Sequence, residues 1–223
     1  RARSGRYDWT VCCAGLGLNR NKGIGLIMKG MTHIVTVLVA CIAVICWIPA
    51  DVAADDLEDR IVTSRAAVKS LAKNIKGYLK AALDASISVE EKLFMCKAGA
   101  SEATSQEVDE RQFSVGRTSL RVRNPENTPD EWEHAILEKF QARKDAGEKI
   151  SNLEHAEMVD ANGHTRFRYM KAIPVGQVCV MCHGKALDLE VIAALDKIYP
   201  NDQARGFEIG EIRGAFTITQ PIK

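Results

Sequence analysis

Residues 153–173 read LEHAEMVDANGHTRFRYMKAI, and at their centre Asn162-Gly163 separates two runs of largely strand-forming character. An Asn-Gly pair between such runs favours the positive φ angles of a tight hairpin turn. The segment therefore predicts two antiparallel strands, near Leu153–Asp160 and His164–Ile173. Helical patterns surround it. From Asp55 to about Leu83, the side chains of Leu57, Ile61, Val68, Leu71, Ile75 and Tyr78 fall on a single stripe. Thr128-Pro129-Asp130-Glu131 supplies an N-cap, a proline at the first helical position and a glutamate at the third. Trp132, Ile136 and Phe140 form the buried face of the helix that follows, and Gly147 ends it. Asp188–Ile198 reads as a last short helix and Gly214–Thr219 as a closing strand.

Two stretches between these elements are less regular. Lys92–Lys97 is a short strand candidate, with Phe94 and Cys96 on one face and Leu93 and Met95 on the other. The polar run Ser101–Arg111 forms a helix or a loop. The order helix, strand, helix, hairpin, helix, strand implies an α+β domain, an antiparallel sheet with helices on one side.

Composition narrows the function classes. The chain has 223 residues, 46% hydrophobic and 26% charged, which excludes disorder, collagen and low-complexity scaffolds. Its 30 basic and 29 acidic side chains give no global electrostatic case for nucleic acid. Residues 1–27 hold no methionine and no clear pattern, and are expected to be an untranslated or disordered extension. Residues 28–54 then begin with the basic stretch Met28-Lys29-Gly30-Met31-Thr32-His33 and continue into the apolar run Ile34–Ile48. Val52-Ala53-Ala54 places small residues before Asp55, completing a secretory signal peptide with export to the periplasm. The competing readings are an uncleaved membrane anchor, for which the apolar run falls short of the roughly 20 residues needed, and a lipoprotein box at Leu38-Val39-Ala40-Cys41. Residues 55–223 remain as one domain.

Export removes Cys12, Cys13, Cys41 and Cys46 from the mature chain and leaves Cys96, Cys179 and Cys182. An odd number cannot be satisfied by pairing alone in an oxidising compartment. Cys179-Val180-Met181-Cys182-His183 has the attachment pattern of a c-type haem. Two thiols three positions apart can form thioether bonds to the two vinyl groups of one porphyrin edge, and the adjacent imidazole becomes the proximal iron ligand. A zinc site would want a second paired motif, and a dithiol redox site a βαβ setting; neither surrounds this pentapeptide. One covalently bound haem c is the expected cofactor. Candidates for the opposite axial ligand are Cys96, His134, His155, His164, Met95, Met158 and Met170. Haem carboxylates need cationic partners, and Arg117, Arg121 and Arg123 would share one side of an extended strand. Gly206, Gly210 and Gly214 mark turns and close backbone approach rather than a phosphate cradle.

The run Val115-Gly116-Arg117-Thr118-Ser119-Leu120, then Arg123-Asn124-Pro125-Glu126-Asn127-Thr128-Pro129-Asp130 with Trp132-Glu133, resembles a family of periplasmic haem c proteins. The haem motif with Gly184, then Tyr199-Pro200, Asp202, Ala204, Gly206, Gly210 and Arg213-Gly214-Ala215, continues the match over about Leu57–Ile222. The resemblance implies a PAS-like fold and His/Cys axial ligation, with His183 as the proximal ligand and Cys96 in the place of the distal thiolate. One departure is that Val89–Met95 lacks the proline that often precedes that thiolate in the family. A thiolate ligand favours ferric iron, so the resemblance implies a low-potential haem.

With four porphyrin nitrogens and two protein ligands the iron has no vacant position, which argues against an enzyme. Periplasmic one-electron transfer to a redox partner protein is the leading reading. The alternative is a redox or diatomic-gas sensor that signals through a separate partner. A membrane is a partner only if the N-terminal segment stays uncleaved, and the long helix stripe packs either on the domain or on a second copy as a homodimer.

Overall fold

The computed structural model describes residues 50–222 except Asn162. The expected extension and most of the expected signal peptide, residues 28–49, lie outside the described residues, as do Cys12, Cys13, Cys41 and Cys46. Among the described residues no helix is long and apolar enough to cross a membrane.

Two helices lead the chain, α1 (Ala50–Asp84) and α2 (Val89–Arg111), followed by β1 (Ser114–Thr118) and α3 (Glu131–Asp145). The hairpin β2 (Glu154–Ala161) and β3 (His164–Pro174) comes next, with Gly163 at φ 78° in its turn. A single helical turn, α4 (Val180–His183), precedes α5 (Leu189–Ile198) and the last strand, β4 (Ile212–Pro221). All neighbouring strands are antiparallel, in the order β1-β4-β3-β2, with Tyr169 opposite Ile218 and Val115 opposite the same residue.

Both faces of this sheet are covered, which corrects the expectation of helices on one side. Phe167, Tyr169, Val115, Phe216 and Ile218 pack against Ala67, Val68 and Leu71 of α1 and Ala103 of α2. Met170, Ala172 and Ala215 pack instead against Ile136, Leu137 and Phe140 of α3. Strand alternation sends successive side chains to opposite faces; β3 buries Phe167 and Tyr169 on one and Met170 and Ala172 on the other, so it needs a helix layer on each. The α1 stripe read from sequence lies on the first of these cores, with Leu57, Ile61, Ile75 and Tyr78 at its margin.

The strand expected at Lys92–Lys97 is the first part of α2. Ser88 and Glu91 close a capping box: the Ser88 Oγ accepts the Glu91 N–H at 3.3 Å, and the Glu91 Oε2 accepts the Ser88 N–H at 2.9 Å. Two otherwise unsatisfied donors are paired this way, which starts a helix where apolar alternation suggested a strand. Helical periodicity then places Cys96 with Leu93, Gly99 and Ala103, not with Phe94. The N-cap of α3 also moves. Asp130 accepts the Glu133 N–H at 2.8 Å and Glu133 returns the bond to the Asp130 N–H at 3.2 Å, while Thr128 closes a preceding 3-10 turn, Pro125–Asn127.

At Gly99, α2 crosses α1 so closely that any Cβ would overlap the Tyr78 ring. Gly99→Val is expected to destabilise the chain by about 1–3 kcal/mol, read as a lower urea midpoint at unchanged slope. Glu154 is held at a pKa of about 2 against an ordinary 4.5, chiefly by its hydrogen bond from Arg65, with a further one from Tyr169. A carboxylate depressed in the folded state stabilises it above the unfolded pKa and loses that contribution as pH falls through the folded one. Stability should therefore fall between pH 4.5 and about 2, and pH-dependent denaturation of Glu154→Gln should have a shallower slope across that window.

Candidate functional site

The motif pentapeptide folds into one helical turn. Cys179 opens α4 in helical geometry, and its carbonyl accepts the His183 N–H at 2.9 Å. A turn of this kind sets Cys179 and Cys182 three positions apart on adjoining faces and lets the next side chain leave from the end. Gly184 ends it, and no larger residue fits there because a Cβ would overlap the Val180 carbonyl.

His183 is oriented from its far side. Its Nδ1 lies 2.7 Å from the Ala204 carbonyl oxygen. A carbonyl can only accept, so Nδ1 carries the proton and Nε2 presents its lone pair, the tautomer that a metal-ligating histidine needs. Burial, then the charges of Arg213 and Arg123, push its pKa down to about 3, so the ring is a neutral donor at physiological pH. The loop supplying Ala204 is fastened to the motif by the Phe207 N–H to the His183 carbonyl and the Gly206 N–H to the Gly184 carbonyl, both at 2.8 Å. Gly206 makes that turn at φ 78°. Gly210 stands at φ 86°, and Gly214 approaches the Thr118 carbonyl too closely for any Cβ, as the sequence reading of these glycines expected.

Arg123 ties the assembly together. It bonds Asp202 through Nε at 3.1 Å and Nη2 at 3.0 Å, and Nη2 also donates to the carbonyls of Cys182 at 2.5 Å and Ala204 at 3.2 Å. The pair is buried, with side-chain exposures of 10% and 1%. Burial alone would raise the Asp202 pKa, but hydrogen bonds from Arg123 and Arg205 hold it below the ordinary carboxylate value.

Helix α2 brings Cys96 to the same place. Leu93, one turn before it, packs with Leu195 of α5, and Cys182 and Tyr199 border that cluster. Burial, followed by the neighbouring Cys182, pushes the Cys96 thiol above its ordinary pKa; burial does the same to Cys182, against the opposing charge of Arg123. None of Cys96, Cys179 and Cys182 is paired in a disulfide. The donor set fits a c-type haem: two free thiols on one turn, a neutral imidazole with its outer nitrogen fixed, and a further thiol on a separate helix. Among the described residues no three His, Cys, Asp or Glu side chains converge as a ligand set for a metal ion.

The other axial candidates lie elsewhere. His134 is exposed on α3 near Glu138, His155 sits beside Trp132 with ring centroids 6.0 Å apart, and His164 is exposed at the hairpin. Met170 is buried in the α3 core, Met158 is exposed on β2, and Met95 lies in a surface groove with Phe94 and Ile198. The arginines do not share one strand, because β1 stops at Thr118 and the chain turns at Ser119. They gather nonetheless: Arg117 beside Tyr199, Arg121 with its Cζ 4.1 Å from the Phe207 ring centre, Arg123 on the motif. Sequence reasoning did not single out Asp202, Ala204, Phe207 or Arg213 as site residues. Asp202, Ala204 and Arg213 were noticed only as resembling positions and Phe207 not at all, and their role depends on contacts 20 or more positions away, as for His183 and Ala204.

This arrangement, a four-stranded antiparallel sheet with helices on both faces and a thiol–imidazole motif at its edge, defines an α+β protein. The crystal structure of the cyanobacterial haem protein Tll0287 shares the fold: TM-score 0.55, 18% identity, covering 74% of this chain and 96% of that one. The chain belongs to the Tll0287-like family, whose model matches residues 51–221. No curated protein matched the sequence. Arg123→Gln should destabilise the domain by roughly 3 kcal/mol, because it strips a buried carboxylate of its main partner; chemical denaturation of both chains measures the difference.

Proposed function

We propose that this protein is an exported, PAS-like haem c protein that carries one covalently bound haem and acts in periplasmic one-electron transfer, not as an enzyme. The observation that carries the reading is the Cys179–His183 turn with the Nδ1 proton of His183 directed at the Ala204 carbonyl. That bond fixes the imidazole plane and leaves Nε2 available, while the two thiols stand three positions apart on one turn, the sequence spacing of c-type haem attachment. Membership of the Tll0287-like family, and the fold shared with a protein described as a haem protein, support haem as the group concerned.

When bound, haem supplies one-electron chemistry at iron. Each part of the chain has a share in setting its properties. Cys179 and Cys182 attach it, and His183 and Cys96 ligate it from α4 and α2. As an iron ligand Cys96 would give its proton to solvent and serve as a thiolate, a donor that would lower the potential relative to a His/Met cytochrome. Arg117 and Arg121 would supply positive charge for the haem carboxylates, whereas Arg123 is committed to Asp202. Val178 and Met181 leave exposed apolar side chains at the motif, suited to transient contact with a redox partner. Export rests on the signal-peptide features of residues 28–54.

The test is periplasmic expression with haem c maturation machinery, comparing wild type with Cys96→Ser. Wild type should retain haem through denaturation, with a low-spin thiolate EPR signature and a negative midpoint. Cys96→Ser should keep covalent haem, lose that signature and shift the midpoint upward. A chain without covalent haem would sink the reading, and an unchanged spectrum in the variant would remove Cys96 from the iron.

A further inference from the structure

Four guanidinium groups surround the motif, but among the described residues only Arg123 is paired with a carboxylate, Asp202. Arg117 lies on β1 opposite Phe216, on the face of the sheet that meets α1 and α2. Its Nε is buried with no hydrogen-bond partner among the described residues. Arg213 reaches the same region for a reason that strict alternation along β4 conceals. A register shift at Ile173/Pro174 leaves Arg213 outside the strand pairing while Ile212 packs on the α3 core, and the Arg213 guanidinium comes to rest among Ser119, Arg121 and Phe207. There Arg213 uses Nη1 alone, donating to the Ser119 Oγ at 2.9 Å and the Arg121 carbonyl at 3.1 Å. Its Cζ stands 5.4 Å from the centre of the Phe207 ring, which meets the His183 ring edge-on at 6.3 Å. Burial, then Arg123 and Arg117, bring the Arg213 pKa down to about 10, with Asp202 the acid that opposes them.

Burying unpaired cations is costly, by several kcal/mol per ion, unless an anion joins them. A guanidinium has five donors in a planar fork that matches a carboxylate. We infer that Arg213, together with Arg117, is the anion cradle of this site and holds the carboxylate groups of the haem, whereas the donors of Arg123 are spent on the protein. The inference rests on the haem c reading above and adds a binding residue to it.

The experiment compares haem-loaded wild type, Arg213→Gln, Arg213→Lys and, as a charge control, Arg166→Gln, an exposed residue of β3. Removing a positive charge from the haem carboxylates should favour ferric iron. Arg213→Gln should thus lower the one-electron reduction equilibrium at least tenfold, equivalent to about 59 mV, while Arg166→Gln stays within threefold of wild type. Arg213→Lys keeps the charge but loses the fork, so it should shift the propionate bending band in the resonance Raman spectrum and stay within threefold in its equilibrium. That variant decides the matter should Arg213→Gln fail to fold. A wild-type band and equilibrium in the Arg213 variants, or an equal shift in Arg166→Gln, would overturn the cradle alone. A wild type without covalent haem would overturn the haem reading and the cradle with it.

Discussion

The buried pair of Arg123 and Asp202 is the constraint on which the site depends. One guanidinium reaches the last carbonyl of the motif turn before His183, the carbonyl that orients His183, and the carboxylate that caps the loop between them. A buried ion pair adds little net stability once the cost of desolvation is counted. Its effect here is positional, because the three acceptors can be satisfied together only when the motif and the 199–207 loop are docked. Arg205 and the Ala204 N–H add further donors to Asp202 from the same loop.

The sheet serves this arrangement by supplying two ends that meet. β1 delivers the arginine segment and β4 delivers Arg213, side by side in the antiparallel register that sets Thr118 opposite Ala215. The close approach of Gly214 to Thr118 lets Ser119 bond both Arg121 and Arg213 as the chain leaves the strand. On the other side, α2 lies against α5, and that contact brings Cys96 near Cys182. Helix packing and strand pairing thus each deliver one half of a site to which no single element contributes more than a few residues.

Several elements were legible because their signals are local. The hairpin turn, the α1 stripe and the Cys179–His183 spacing depend on residues within a few positions of each other, and the structure places the hairpin and the stripe where the sequence put them. Lys92–Lys97 was misread because six residues of apolar alternation fit both periods, and the deciding capping box begins at Ser88, outside that window. The α3 cap shifted from Thr128 to Asp130 because either residue can accept, and the reciprocal bond from Glu133 favours Asp130. The one-sided helix layer failed for a different cause: whether an apolar strand is covered on both faces depends on where a distant helix comes to rest.

The sequence by itself determined the chemistry available: two thiols and an imidazole at fixed spacing, a lone third thiol, and glycines where the chain must turn or approach closely. These follow from covalent spacing and backbone sterics, which need no partner. Tertiary structure decided which of that chemistry converges. Only folding could place Cys96 beside Cys182, commit Arg123 to Asp202, and set Arg213 beside Ser119 and Phe207, because hydrogen bonding, burial and charge act through distances that neighbours in sequence do not fix.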